Sequence, residues 1–260
     1  MLDAETRPSI LSKAFDLLRA FNSGERVMTL SELSRASGLS KSTVHRLLAR
    51  LIDLGAIEHH RAGYRVGLDM FQLAATTPAS AVRDLAMPYL AALHLRTGHT
   101  VHLGMLRQFD VVYLEKVARN HPSPDPSGVG TRLPVNCTAI GKALLAHESL
   151  NDLGDFLPSP MPSLTPRSIT DVGSLISQLR VIRQEGLARE CEEARLGLAC
   201  VASPIVVRGF AIGAISLAYP VGTSLEARTG TMLLDAAAHL AKEIRQNPPG
   251  GSVQWLLREV

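Results

Sequence analysis

Residues Thr29–Gly67 read TLSELSRASGLSKSTVHRLLARLIDLGAIEHHRAGYRVG, and the order of features in this stretch decides the N-terminal fold. Thr29 and Glu32 stand three apart at the head of an apolar-periodic run. This is the spacing of a capping box, in which each side chain satisfies the other residue's backbone amide. Leu30, Leu33 and Ala36 follow at helical spacing and predict a helix of about two turns. Gly38 falls where that helix must stop, because glycine enters a left-handed turn without steric cost. Leu39 is expected to bury between this helix and the next, which Ser40 should cap.

The second helix is expected over Lys41 to Leu54. Val44, Leu47, Leu48, Leu51 and Ile52 form its buried stripe. Lys41, Ser42, Thr43, Arg46, Ala49 and Arg50 lie off the stripe, with His45 near its edge. Small hydroxyls and cations on a slim helix face suit a DNA groove, since hydroxyls reach phosphates or base edges and Arg reads guanine bidentately. Gly55 ends the helix, a strand follows through His60, Arg61-Ala62-Gly63 turns, and Tyr64-Arg65-Val66 returns. Upstream, Ile10, Leu11, Ala14, Leu17, Leu18 and Phe21 mark the third helix that such a small domain needs. The succession predicts a winged helix-turn-helix that reads double-stranded DNA in the major groove. Its candidate contacts are Thr29, Ser40, Lys41, Ser42, Thr43, His45, Arg46, Arg50, Arg61 and Arg65.

Charge is distributed accordingly. The chain of 260 residues carries a net +3, with ten Lys and Arg against seven Asp and Glu in residues 1 to 67 and seventeen of each thereafter. So modest an excess implies a small phosphate footprint per chain, and a specific site would need two copies. The hydrophobic share of 46% and charged share of 20% fit a globular protein of two domains. No apolar run spans a bilayer and residues 1 to 5 lack a secretory signal, so a cytoplasmic protein with no membrane partner is expected. Cys137, Cys191 and Cys200 form no close-spaced motif and suit reduced thiols. Neither a metal nor a cofactor is expected.

Beyond Gly67, a short helix over residues 68 to 75 and a longer one over about 82 to 96, with a possible kink at Pro88, form a connector. Its apolar surface calls for a partner chain or a neighbouring domain. From Thr100 the texture changes. Strands are expected at 100 to 106, 110 to 115, 198 to 203 and 210 to 217, and helices at 139 to 146, about 172 to 184 and about 226 to 245. Without strict βαβ alternation, this predicts an α+β domain on an antiparallel sheet. Two stretches could hold a ligand. In the first, residues 132 to 145, free amides near Thr138 to Gly141 favour an anion such as a carboxylate; equally, Thr138 could simply cap a helix and Gly141 could serve close packing. The second, residues 190 to 200, reads as an acidic turn feeding a buried strand, where Cys200 could be no more than a small apolar side chain.

The winged motif and the passages VGTRLPVNCTAIGKALLA and EGLARECEEARLGLACVASPI together resemble the IclR-type bacterial transcriptional regulators, over about residues 7 to 246. The resemblance implies a winged reader (1–67), linker helices that help dimerise (68–98), a GAF-like effector domain (99–246) and a tail (247–260) beyond the family pattern. It implies a repressor or activator acting as a homodimer or homotetramer on an operator, with a small organic acid as effector, commonly from carbon catabolism. Carried over by position, Ala139, Ile140, Glu190, Cys200 and Ser216 match pocket residues, with Gly141 beside them. Glu190 stands where the glyoxylate-sensing type has aspartate, and Ala218 where it has a second serine. Two other classes are open to the residues: a cysteine-dependent enzyme using Cys191 or Cys200, and a metal or thiol sensor using His99, His102, Cys137 and Cys200. No histidine lies near either cysteine in sequence, and no ligand spacing supports a metal site.

Overall fold

The structure is a computed structural model that describes residues 9–23, 26–118 and 127–248. The expectation for the tail falls almost entirely outside the described residues. The chain divides into two compact units, residues 1–77 and 78–260.

The first unit begins with α1 (Ile10–Arg19), which tightens into a 3-10 turn over Ala20–Ser23. Next come α2 (Leu30–Ser37) and α3 (Lys41–Asp53), then a hairpin of β1 (Ile57–His60) and β2 (Gly63–Val66), and finally α4 (Leu68–Ala75). The capping box forms: the Thr29 amide donates to Glu32 Oε2 at 2.7 Å, and the Glu32 amide to Thr29 Oγ1 at 3.3 Å. Gly38 takes the left-handed conformation (φ 69°), and Ser40 caps α3 by accepting from the Thr43 amide. Leu17, Leu33, Val44, Leu47, Leu48, Leu51 and Ile57 form the core, with Leu39 and Ile52 partly buried against it. Two expected core residues are not there. Ile10 and Leu11, on the first turn of α1, are 63% and 70% exposed, because α2 and α3 cover only the later turns.

In the second unit, α5 (Pro78–Thr97) runs through Pro88 as one helix. It starts earlier than its apolar spacing suggested, since Pro78 at the first helical position forfeits only an amide without an intrahelical partner. Then follow β3 (Thr100–Arg107), β4 (Asp110–Val117), β5 (Arg132–Pro134), a 3-10 turn over Val135–Cys137, α6 (Ala139–Leu145), α7 (Leu153–Phe156) and α8 (Val172–Glu185). The unit finishes with β6 (Ala188–Cys191), β7 (Leu198–Val207), β8 (Phe210–Pro220) and α9 (Thr229–Gln246). The six strands form one antiparallel sheet ordered β5-β4-β3-β8-β7-β6. The second ligand stretch is therefore a hairpin and not wholly a turn: Glu190 and Cys191 sit on β6, paired with Cys200 and Ala199.

Strand alternation splits the core in two. Val101, Leu103, Val201, Ile205, Ile215 and Leu217 face α5 and α9, which contribute Val82, Leu90, Leu233 and Leu240. The other face presents small residues such as Ala202 and Ala214 to α6 and α8. These small side chains let α6 lie close to the sheet, and all seven of its residues are buried. At Gly141 a Cβ would stand 2.2 Å from the Val135 carbonyl oxygen and 2.4 Å from its Cα. Both are backbone atoms that cannot swing aside. Gly141→Ala should thus destabilise the second unit by about 1–3 kcal/mol, read as a lowered midpoint in urea unfolding of the full chain.

Candidate DNA-reading face and ligand cavity

On α3, Lys41, Ser42, His45, Arg46, Ala49 and Arg50 are all exposed, on the side opposite the buried stripe. Among the described residues Lys41 and Arg46 make no ion pair, while Arg50 lies 3.7 Å from Asp53 in an exposed contact that contributes little. Ser40 Oγ serves the cap and lies 3.1 Å from Ser42 Oγ and 2.9 Å from the partly buried Thr43 Oγ1. Thr29 likewise uses its hydroxyl on Glu32, at 2.8 Å.

The wing splits its cations between two tasks. Arg61 stands exposed on the turn. Arg65 is held by Glu58, its Nε and Nη2 donating to Oε2 at 2.9 and 2.8 Å, while Glu58 Oε1 accepts the Leu68 amide at the start of α4. That amide first, and Arg65 second, hold the Glu58 carboxyl below its usual range. His59 packs on Tyr64 with ring centroids 5.1 Å apart, and His60 Nδ1 accepts the Ala62 amide at 3.2 Å. Both histidines thus have structural work in the hairpin.

In the second unit, register brings separated residues to one place. His102 pairs with Ser216 across β3 and β8, and Glu190 with Cys200 across β6 and β7; paired residues point to the same face. With Ala139 and Ile140 at the start of α6 they line a cavity of ≈ 10 Å³, room for about one water. Tyr113, Leu133, Thr138, Ala194 and Leu198 complete it. Five expected residues (Ala139, Ile140, Glu190, Cys200 and Ser216) meet here, whereas Gly141 lies outside the lining and serves close packing. Thr138 both caps α6, accepting the Gly141 amide at 3.0 Å, and lines the cavity. His102, whose Nε2 lies 2.7 Å from Ser127 Oγ, was named only as a metal-sensor candidate and Tyr113 not at all, yet both line the cavity. Their signal was present in the alternation of the first two strands, once the inner face is known.

A charged cluster borders the cavity. Lys142 on α6 is fully buried and its Nζ donates to Glu193 at 2.8 and 3.0 Å and to Gln178 Oε1 at 3.1 Å. Burial outweighs the ammonium and holds the Glu193 carboxyl above the usual range. Glu190 is also pushed up, first by burial, against the pull of the Cys200 thiol and the Glu193 and Ala194 amides. His99, His102, Cys137 and Cys200 form no metal set: among the described residues no group of three or more His, Cys, Asp or Glu is placed to hold an ion. Cys191 is exposed, and burial raises the Cys137 thiol.

The IclR helix-turn-helix domain matches residues 10–61, and the C-terminal domain of bacterial IclR transcriptional regulators matches residues 74–245. The chain belongs to the IclR family. It is similar to the transcriptional regulator XynR of Escherichia coli, at 34% identity over 75% of this chain and 79% of that protein. With KdgR of Dickeya chrysanthemi it shares 33% identity over 84% of this chain and 74% of the relative. An IclR homologue from Microbacterium hydrocarbonoxydans, solved with 4-hydroxybenzoate, superposes with a TM-score of 0.83 at 26% identity, covering 92% of this chain and all of that one. This IclR-family chain is a DNA-binding transcriptional regulator of a family with small-molecule effectors, built from an N-terminal helix-turn-helix and an antiparallel-sheet domain. Such regulators are generally not enzymes. Among the described residues no helix is long and apolar enough to cross a membrane.

Buried pairs are far costlier to break than to replace. Lys142→Met should therefore cost about 3–5 kcal/mol in urea unfolding, because Glu193 keeps its burial and loses its partner. Adding Glu193→Leu should recover most of that loss; a double variant no more stable than Lys142→Met would show that the pair is not what holds α6.

Proposed function

We propose that α3 reads an operator in the major groove and that a small organic acid in the β3/β8/β7/β6 cavity adjusts DNA affinity. The observation that carries the first part is the outer face of α3, where Lys41, Ser42, His45, Arg46 and Arg50 are exposed above an unbroken buried stripe. Arg46 and Lys41 have no competing ion pair among the described residues, so they are the cations free for bases and phosphates, with Arg61 on the wing. Ser40, Thr43 and Thr29 act chiefly by shaping the helix starts, and Arg65 by bracing the wing. Arg46→Ala should cost about 1–3 kcal/mol of operator affinity and relax sequence preference, whereas Arg61→Ala should weaken binding evenly and lower the salt slope by about one. Fluorescence anisotropy at several salt concentrations checks both. Unchanged affinity in Arg46→Ala would discard α3 as the reader.

Two chains act together in this reading. α4 buries none of its side chains, and Leu68, Phe71 and Leu73 are each 64% exposed. A second copy covering them would set two α3 helices about 34 Å apart, the spacing of successive major grooves. Phe71→Glu should then shift the protein toward monomer in analytical ultracentrifugation and lower operator affinity.

For the effector, support comes from the five family-matched residues that converge on one cavity, and from the Microbacterium relative's 4-hydroxybenzoate, itself a small acid. A relative from Streptomyces coelicolor, 30% identical over 75% of this chain, is a glycerol operon regulatory protein, in keeping with a carbon-catabolic role. An effector larger than water enters only by parting the cavity wall, and that movement lets it favour one arrangement of the readers over another. The protein is cytoplasmic and non-enzymatic in this reading, and Cys200 is a lining group and not a nucleophile. A thermal-shift screen of small organic acids tests the proposal. A hit that also changes operator affinity supports it; if no acid changes affinity, the effector assignment falls.

A further inference from the structure

Glu190 is 3% exposed, and its Oε1 is the buried carboxylate oxygen that has no hydrogen-bond partner among the described residues. Oε2 accepts the Glu193 amide at 3.0 Å, the Cys200 thiol and the Ala194 amide also draw on the carboxyl, and Oε1 is still without a hydrogen bond on a residue that lines the cavity. The buried cation beside this cluster, Lys142, is already taken by Glu193 and Gln178. The other titratable groups around Glu190 supply no fixed positive charge against it. They are Glu193 beyond β6, Cys200 on β7, Tyr219 on β8, His102 on β3 with its Nε2 at the Ser127 hydroxyl, and Tyr113 on β4. Arg189 is adjacent on β6, but alternation turns it out to solvent, where it pairs with Glu185 at 3.2 Å.

An ionised Glu190 would leave this cluster with one uncompensated negative charge in a water-poor site, and an organic anion would add a second. Two buried carboxylates side by side do not both stay charged. We infer that the cavity admits an organic anion only together with one proton, which Glu190 takes up from solvent and presents from Oε1 as a donor to the bound carboxylate. The inference rests on the reading of this cavity as the effector site. The balance is simple: one anion and one proton enter, the Glu190 carboxylate becomes a carboxylic acid, and the site's net charge is unchanged. Glu190 also lines an open groove of ≈ 730 Å³ between α8 and β6, a route for the proton. The burial that already raises this carboxyl prepares it for uptake.

The sign of the linkage follows. Above the pKa of Glu190 in the free protein, affinity for an acid falls about tenfold per pH unit, and below it the affinity levels off. Glu190→Gln keeps an acceptor for the Glu193 amide and supplies a permanent neutral donor, so its affinity should not vary with pH. The experiment is calorimetric titration of the full chain with acetate, pyruvate and benzoate between about pH 5 and pH 8. It uses buffers of different ionisation heat, so that protons taken up are counted in the unmodified protein, and benzamide serves as the uncharged control. Expected are one proton per acid bound well above that pKa, the tenfold slope, and loss of both in Glu190→Gln, with benzamide indifferent to pH. Binding of an acid without proton uptake, or a slope that survives in Glu190→Gln, overturns the inference and leaves the effector site standing. Binding of none of the three acids at any pH overturns the inference. If they also leave operator affinity unchanged, the organic-acid reading goes with it.

Discussion

The second unit depends on letting one short helix sit deep against a sheet. α6 has only seven residues and all are buried, including a lysine. A helix so placed has no solvent to hydrate its charge, so Lys142 must be met by protein, and Glu193 and Gln178 meet it from two different elements. The same closeness requires Ala202 and Ala214 on the facing strands and a bare α-carbon at Gly141. Burial of the helix thus sets the composition of the strands opposite it and the placing of the β6–β7 hairpin. It also brings Ala139 and Ile140 over Cys200, Ser216 and Glu190. The cavity is a by-product of where α6 lies, and its polarity is that of the few strand positions that are neither alanine nor aliphatic.

Much of this was legible locally. The capping box, the left-handed Gly38 and the Ser40 cap are short-range rules, and the reader followed them residue by residue. The longer strands announced themselves by alternation, and α8 and α9 by helical spacing of their apolar residues. What could not be read locally is instructive. β6 escaped because one of its two inward residues is Glu190, which breaks the apolar pattern that marks a strand. Lys142 reads as a surface cation in sequence, since the carboxylate that permits its burial lies 51 residues away. His102 and Tyr113 stood in recognised strands, but which face is inner depends on pairing with β8 and on where α6 settles. On α1, Ile10 and Leu11 kept the helical period yet found no neighbour to cover them.

The family-matched pocket positions converged better than residue types alone would have allowed. All five meet in space, drawn from α6, β6, β7 and β8, and antiparallel register is what aligns them, whereas Gly141, named beside them, does not join. Gly141 separates from the group for a steric reason, since the Val135 backbone occupies the volume beside it. Sequence position therefore predicted proximity, while only the packing distinguished residues that face the cavity from those that make room for the helix bearing them.

Glu58 has a mechanical consequence. With one oxygen it grips Arg65 on the second wing strand, and with the other it accepts the first amide of α4. A wing and the helix that leaves it thereby share one carboxylate as a common anchor. Loss of that one carboxylate would free both attachments at once.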